Sequence, residues 1–239
     1  MKAGCPPCAP PNPLADSHLF KLTLTFDNGP EPEVTPHVLD VLRRAGIKST
    51  FFVLGSKLAL PGRRALAEEA AAAGHWIGNH TYSHGVSLGE STDPEAPAKE
   101  IGRTEELVGT LAHAENFFRP NGGGGKLGRH LLSPAARDYL MQRDYSLVLW
   151  NSIPEDWKDP EGWVARGLAQ CQAQPWSLMV LHDLPTGAMA HLERFIDEAR
   201  AAGAQFVQAF PPDCVPLRAG VASPALESYV AAENLRAAA

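Results

Sequence analysis

Short apolar runs alternate along this chain with helical patterns that begin on a repeated signal, and this alternation restricts the fold more than any other feature. The signal is a capping residue followed by proline in the first turn, as in Thr35-Pro36, Asp93-Pro94, Ser133-Pro134, Asp159-Pro160 and Ser223-Pro224. Three helical patterns also stop on glycine: Gly46 after 36–45, Gly74 after 62–73 and Gly203 after 188–202. Between the helices, 20–26, 50–54, 75–78, 116–118, 146–150, 178–181 and 205–207 read as seven strands. Near-continuous apolar strands are expected where helices cover a parallel sheet, so an α/β fold closed into a seven-unit (β/α) barrel is expected. An open doubly wound sheet is disfavoured, because no glycine-rich dinucleotide fingerprint follows the first strand.

The 239 residues, 44% apolar and 20% charged, suffice for one domain with a full core, expected over 19–239 and including a C-terminal helix. Residues 1–18 read as a flexible proline-rich arm. Its Cys5-x-x-Cys8 pair precedes the first strand instead of opening a helix after one, so no redox or metal role is assigned. A net charge of −6 with no Lys/Arg stripe argues against a nucleic-acid partner. No apolar run approaches the roughly 20 residues of a membrane span, and the first residues lack the apolar core of a secretory signal. The expected location is cytoplasmic, or extracytoplasmic if a leader has been removed.

In β/α barrels the reacting groups sit on the loops that follow the strands. Here Asp27 and Asn28 end the first strand, His80 and His84 follow the third, and Arg119 ends the fourth. Asp156 and Trp157 follow the fifth, and His182 and Asp183 end the sixth. Nine histidines should give a His-x-x-x-His spacing by chance roughly 0.3 times per chain, so the weight lies in the joint occurrence. Metal-assisted hydrolysis needs a cation, a base for water and an acid for the leaving amine. His80 and His84, one helical turn apart, with an oxygen of Asn28, could form a three-ligand site with an open position. Asp27 could be the base and His182 the acid, with Asp156 holding His182 protonated and Arg119 orienting Asp27.

These residues resemble, in order, the motifs of the polysaccharide deacetylase family, carbohydrate esterases that share the chitooligosaccharide deacetylase homology domain. The resemblance spans about residues 20 to 210. Thr25 to Pro30 matches Thr-Phe-Asp-Asp-Gly-Pro, and His80 to His84 matches His-Ser/Thr-x-x-His. Arg119 to Gly123 stands where many members have Arg-Pro-Pro-Tyr-Gly, Asp156-Trp157 follows Trp150, and Val180 to Asp183 forms the last motif. The resemblance implies a distorted (β/α)7 barrel that removes an acetyl group from an N-acetylated sugar or oligosaccharide. It implies a divalent metal, zinc foremost, on residues 28, 80 and 84, with Asp27 as base and His182 as acid. Trp157 and Leu181 are expected to wall the acetyl pocket, and Pro30, Asn121 and Gly122 to contribute to substrate binding.

Three departures stand out. Asn28 replaces the family's metal-binding aspartate with a neutral oxygen, which implies a weakened site. Four glycines, 122 to 125, replace the aromatic of the third motif and suggest an open or mobile rim. Ile153 replaces an acidic residue that often precedes Asp-Trp. Two other readings compete: a metal-free or weakly metal-dependent, allantoinase-like amidohydrolase acting on a small amide, and a non-catalytic carbohydrate-binding barrel.

Overall fold

The computed structural model describes residues 19–232, so Cys5 and Cys8 and the arm lie outside the described residues. Seven parallel strands appear where the apolar runs predict them: β1 Phe20–Asp27, β2 Thr50–Val53, β3 Trp76–Asn79, β4 Phe117–Phe118, β5 Ser146–Leu147, β6 Trp176–His182 and β7 Ala204–Phe206. The helices between them are α1 Thr35–Ala45, the single turn α2 Gly55–Leu58, α3 Arg63–Ala72, α4 Arg103–Val108, α5 Pro134–Gln142, α6 Trp163–Gln172 and α7 Leu192–Ala201. A π-helical turn, Pro97–Gly102, runs directly into α4. Gly46 closes α1 in the left-handed conformation (φ 66°), its N–H bonded to the Arg43 and Leu42 carbonyls, as its place in the sequence predicts.

β1 is the centre of the sheet. β6 pairs along it from Lys21 to Asp27, while its other edge is shared by β7 at Phe20–Leu22 and β2 at Thr25–Asp27. From β2 the sheet continues through β3, β4 and β5. Ser152, beyond β5, bridges to Met179 in β6 and brings the curled sheet round toward closure. A short antiparallel hairpin, β8 Leu217–Arg218 and β9 Val221–Ala222, pairs onto β5 and was not foreseen.

The period of two along each strand separates the two faces. Leu22, Leu24 and Phe26 of β1 and Met179 and Leu181 of β6 join the core under α1, α6 and α7. Their neighbours Thr23, Thr25 and Asp27 are buried on the opposite, barrel-inward face, opposite Leu178, Val180 and His182. The expected C-terminal helix is a 3₁₀ segment, Pro224–Tyr229, in the described residues. The Ser-Pro start is present, but Val230 pairs with Leu132 and pulls the chain into an extended path after six residues.

Candidate active site

Asp27 and His182 are register partners at the ends of β1 and β6, so the sheet sets their separation. Arg119, fully buried beneath them, donates from Nη1 to Asp27 Oδ1 (2.8 Å) and to Thr25 Oγ1 (2.7 Å). Its Nε and Nη2 donate to the Val148 and Leu149 carbonyls, and the Phe52 ring lies 4.1 Å from the guanidinium. Burial alone would raise the pKa of Asp27; the Arg119 charge, with smaller help from His80 and His182, reverses this and holds the carboxyl below its ordinary range. Asp27 is therefore an ionised acceptor in a buried place.

His182 is driven the other way. Burial opposes its charge, but the Asp156 carboxylate overrides that and raises its pKa. Asp156, itself buried, accepts from the His182 ring Nδ1 and from its backbone N–H, both at 2.9 Å. This grip fixes the ring and leaves Nε2 toward the cleft, with the Trp157 ring edge-on at 4.7 Å.

His80 Nδ1 lies 2.8 Å from the Arg119 carbonyl, which can only accept, so the proton sits on Nδ1 and Nε2 carries a lone pair. That Nε2 faces Asp27 Oδ2 across 3.6 Å. Burial lowers the His80 pKa to about 4 and also lowers that of His84, so both rings are neutral at neutral pH. The His84 ring lies 5.0 Å from that of His80. Asn28 follows in the left-handed conformation (φ 73°), and its Oδ1 is buried with no hydrogen-bond partner. An orphaned oxygen and imidazole lone pairs at one cleft are the donor set of a divalent cation, and these residues fit one. No three His, Cys, Asp or Glu side chains form such a set among the described residues; the third donor here is an amide.

These groups open on a cleft of about 180 Å³ whose apolar wall is Trp150, Ile153, Trp157, Val180 and Leu184. Leu181, expected in this wall, instead faces the helices. Side chains alternate along β6, so Val180, two residues before His182, takes the cleft position. Pro30 is buried away from the cleft lining, its carbonyl accepting from Arg63 Nη1 (2.9 Å). Gly122 and Asn121 do border the cleft, but the Asn121 amide is engaged with the protein, donating to the Gly85 carbonyl (2.6 Å). The His80–His84 segment is not a helical turn. Thr81 and His84 have φ of 69° and 53°, and the rings meet through an irregular loop.

The glycine run borders the cleft and is fastened to its apolar wall. Trp150 Nε1 donates to the Gly125 carbonyl (3.0 Å), and a Cβ on Gly125 would lie 2.6 Å from Ile153 Cδ1. Glu100 escaped the sequence reading, and Asp183 and Val180, both named in it, take places it did not assign. Glu100 carries the loop between the two histidines, accepting from the backbone of Tyr82 and Ser83. Asp183 is wholly buried against Gly29, where it accepts from the Thr35 hydroxyl. Val180 could have been found from its strand period alone.

A family model described as polysaccharide deacetylase matches residues 18–133. A peptidoglycan-N-acetylglucosamine deacetylase of Bacillus cereus is 31% identical over 193 residues, covering 78% of this chain and 66% of that protein. A chitooligosaccharide deacetylase of Sinorhizobium fredii is 30% identical over 189 residues, covering 78% and 83%. The chain thus spans just under two thirds of the Bacillus relative, and 37% of related Listeria monocytogenes proteins. Among solved structures, a family 4 acetyl xylan esterase from Clostridium thermocellum, bound to a cobalt ion, superposes with a TM-score of 0.63 at 26% identity, over 79% of this chain and 87% of that one.

Proposed function

Since the chain belongs to the polysaccharide deacetylase family, we propose that it hydrolyses the acetamido group of an N-acetylated sugar or oligosaccharide, releasing acetate and a free amine. The observation that carries this reading is the opposed electrostatics of a register pair: Asp27 is kept ionised by Arg119, and the charged form of His182 is favoured by Asp156. An ionised base and a histidine biased toward its acid form thus face one cleft.

His80, His84 and the Oδ1 of Asn28 would hold a divalent cation, zinc being suited to this nitrogen-rich set. When bound, such an ion polarises the acyl oxygen and acidifies water. Asp27 takes the proton of the attacking water as the C–O bond forms. Its carboxylate is held ionised and aimed by Arg119, so it is free to accept that proton. His182 Nε2 delivers its proton to the nitrogen as the C–N bond breaks, and Asp156 stabilises the imidazolium until that moment. The apolar wall of Val180 and Trp157 beside His182 suits the acetyl methyl and excludes water from its side. Among the described residues the cleft lining contains no Lys or Arg, which suits a neutral sugar ring at the reacting centre.

The test is acetate release from N-acetylglucosamine oligomers by zinc-loaded protein, with Asp27→Asn and His182→Ala as controls. Turnover should fall by roughly 10²- to 10⁴-fold in His182→Ala. Acetate release equal in wild type and both variants would remove this reading.

A further inference from the structure

The segment that carries His80 and His84 is neither helix nor strand; its first part is tied to β2 and α2, His80 N–H donating to the Val53 carbonyl (3.0 Å) and the Gly55 and Ser56 N–H groups to the Thr81 (3.0 Å) and Tyr82 (2.9 Å) carbonyls. Two of its residues, Thr81 and His84, sit in the left-handed region, which is unfavourable for a non-glycine residue. Local bonds help: Thr81 N–H donates to Asn79 Oδ1 (3.0 Å) and His84 N–H to Thr81 Oγ1 (3.2 Å). On the stretch 82–85, beyond most of these backbone bonds, the restraint comes from two side chains remote in sequence.

Glu100, on the π-helical turn before α4, accepts from the Tyr82 N–H (3.0 Å) and the Ser83 N–H (2.9 Å) with one oxygen and from the Ser83 hydroxyl (2.7 Å) with the other. From the opposite side Asn121 Nδ2 donates to the Gly85 carbonyl (2.6 Å) and to that of His84 (3.3 Å), while its Oδ1 accepts from the Gly123 N–H (3.1 Å). Asn121 is 9% exposed, so its side chain is shielded from water although the Gly85 end is exposed. The two grips fall on consecutive stretches, 82–83 and 84–85. The third-motif pattern that this chain resembles has proline at position 121, a residue with no side-chain donor or acceptor.

We infer that Glu100 and Asn121 are positioning residues that hold His84 ready beside His80, so that a cation pays little to organise its ligands. This rests on the cation site proposed above. Preorganisation of this kind offsets the missing charge of Asn28, because the ordering cost is met on folding instead of on binding.

The experiment measures zinc affinity of the full chain by competition with a chromogenic chelator, alongside the melting temperature of the zinc-free protein. Glu100→Ala and Asn121→Ala should each weaken zinc binding about 10- to 100-fold, the usual effect of losing an outer partner of a metal ligand. The zinc-free melting temperature should move by only a few degrees, and Glu100→Gln, which keeps an acceptor oxygen, should recover part of the affinity. Unchanged affinity in both alanine variants overturns the inference. So does a loss that follows zinc-free stability, with no recovery in Glu100→Gln. His84→Ala separates the two levels: if it binds zinc as wild type does, the cation site itself is wrong, and if it alone loses zinc, only the positioning role is.

Discussion

Trp150 occupies the space that a side chain at Gly122 would need. A Cβ there would lie 2.5 Å from Trp150 Cη2, and the same indole fastens the glycine run through its bond to the Gly125 carbonyl. The aromatic wall of this cleft therefore comes from the segment after β5, and the residue after Asn121 must stay small. Gly122→Ala should displace the indole, change the intrinsic tryptophan fluorescence and cost on the order of 1–3 kcal/mol of stability, as overpacking does elsewhere. Unaltered fluorescence and melting temperature would show that the loop yields and the ring does not.

The protonation state of His182 depends on Asp156. Removing that carboxylate takes away the largest counterweight to burial and leaves only the smaller pull of Asp27 and Asp183, so the His182 pKa falls. In Asp156→Asn the alkaline limb of kcat/KM should move to lower pH, with the largest loss of rate above neutrality. A pH profile of zinc-loaded wild type and variant measures this. An unmoved alkaline limb would take His182 out of the acid role.

Asn28 is held where an aspartate would also fit, since the left-handed region is open to both. Asn28→Asp should tighten divalent-cation binding by about tenfold or more, because a carboxylate adds a full charge beside a divalent ion at short range. Isothermal titration with zinc gives the answer. Equal affinity would mean that the orphaned Oδ1 does not face the ion.

Asp183 is buried with one oxygen unpartnered, and burial pushes its pKa up to about 7 from an ordinary 3.8. Between these values the folded protein binds a proton that the unfolded chain does not, so stability falls as pH rises through this window and is level above it. Asp183→Asn keeps an acceptor for the Thr35 hydroxyl and removes the ionisation. Its melting temperature relative to wild type should be higher at pH 8 than at pH 4, measured without zinc. The same difference at both pH values would show that Asp183 ionises freely.

The sequence exposed what depends on local order. Proline and glycine marked helix boundaries, apolar runs marked strands, and residues at strand ends identified Asp27, Arg119, Asp156 and His182 as groups that would meet. It misled where one residue of register decides a face: Leu181 and Val180 are equally apolar, and only the alternation from His182 separates them. It misled again at His80 and His84, whose spacing suits a helix although left-handed backbone at Thr81 and His84 produces the approach. Glu100 was illegible because two of its three partners are backbone N–H groups and the third is an ordinary serine hydroxyl, so no complementary charge points to it.

The placement of β1 at the centre of the sheet divides this site by how firmly each half is anchored. Asp27 and His182 end the two longest strands, locked to each other by a seven-residue register, and can separate only if the sheet opens. Of the cation donors, His84 lies on the stretch of loop bound by Glu100 and Asn121, side chains that single substitutions can replace. Proton-transfer geometry is thereby inherited with the fold, whereas metal preference and affinity can drift by point mutation without endangering the barrel.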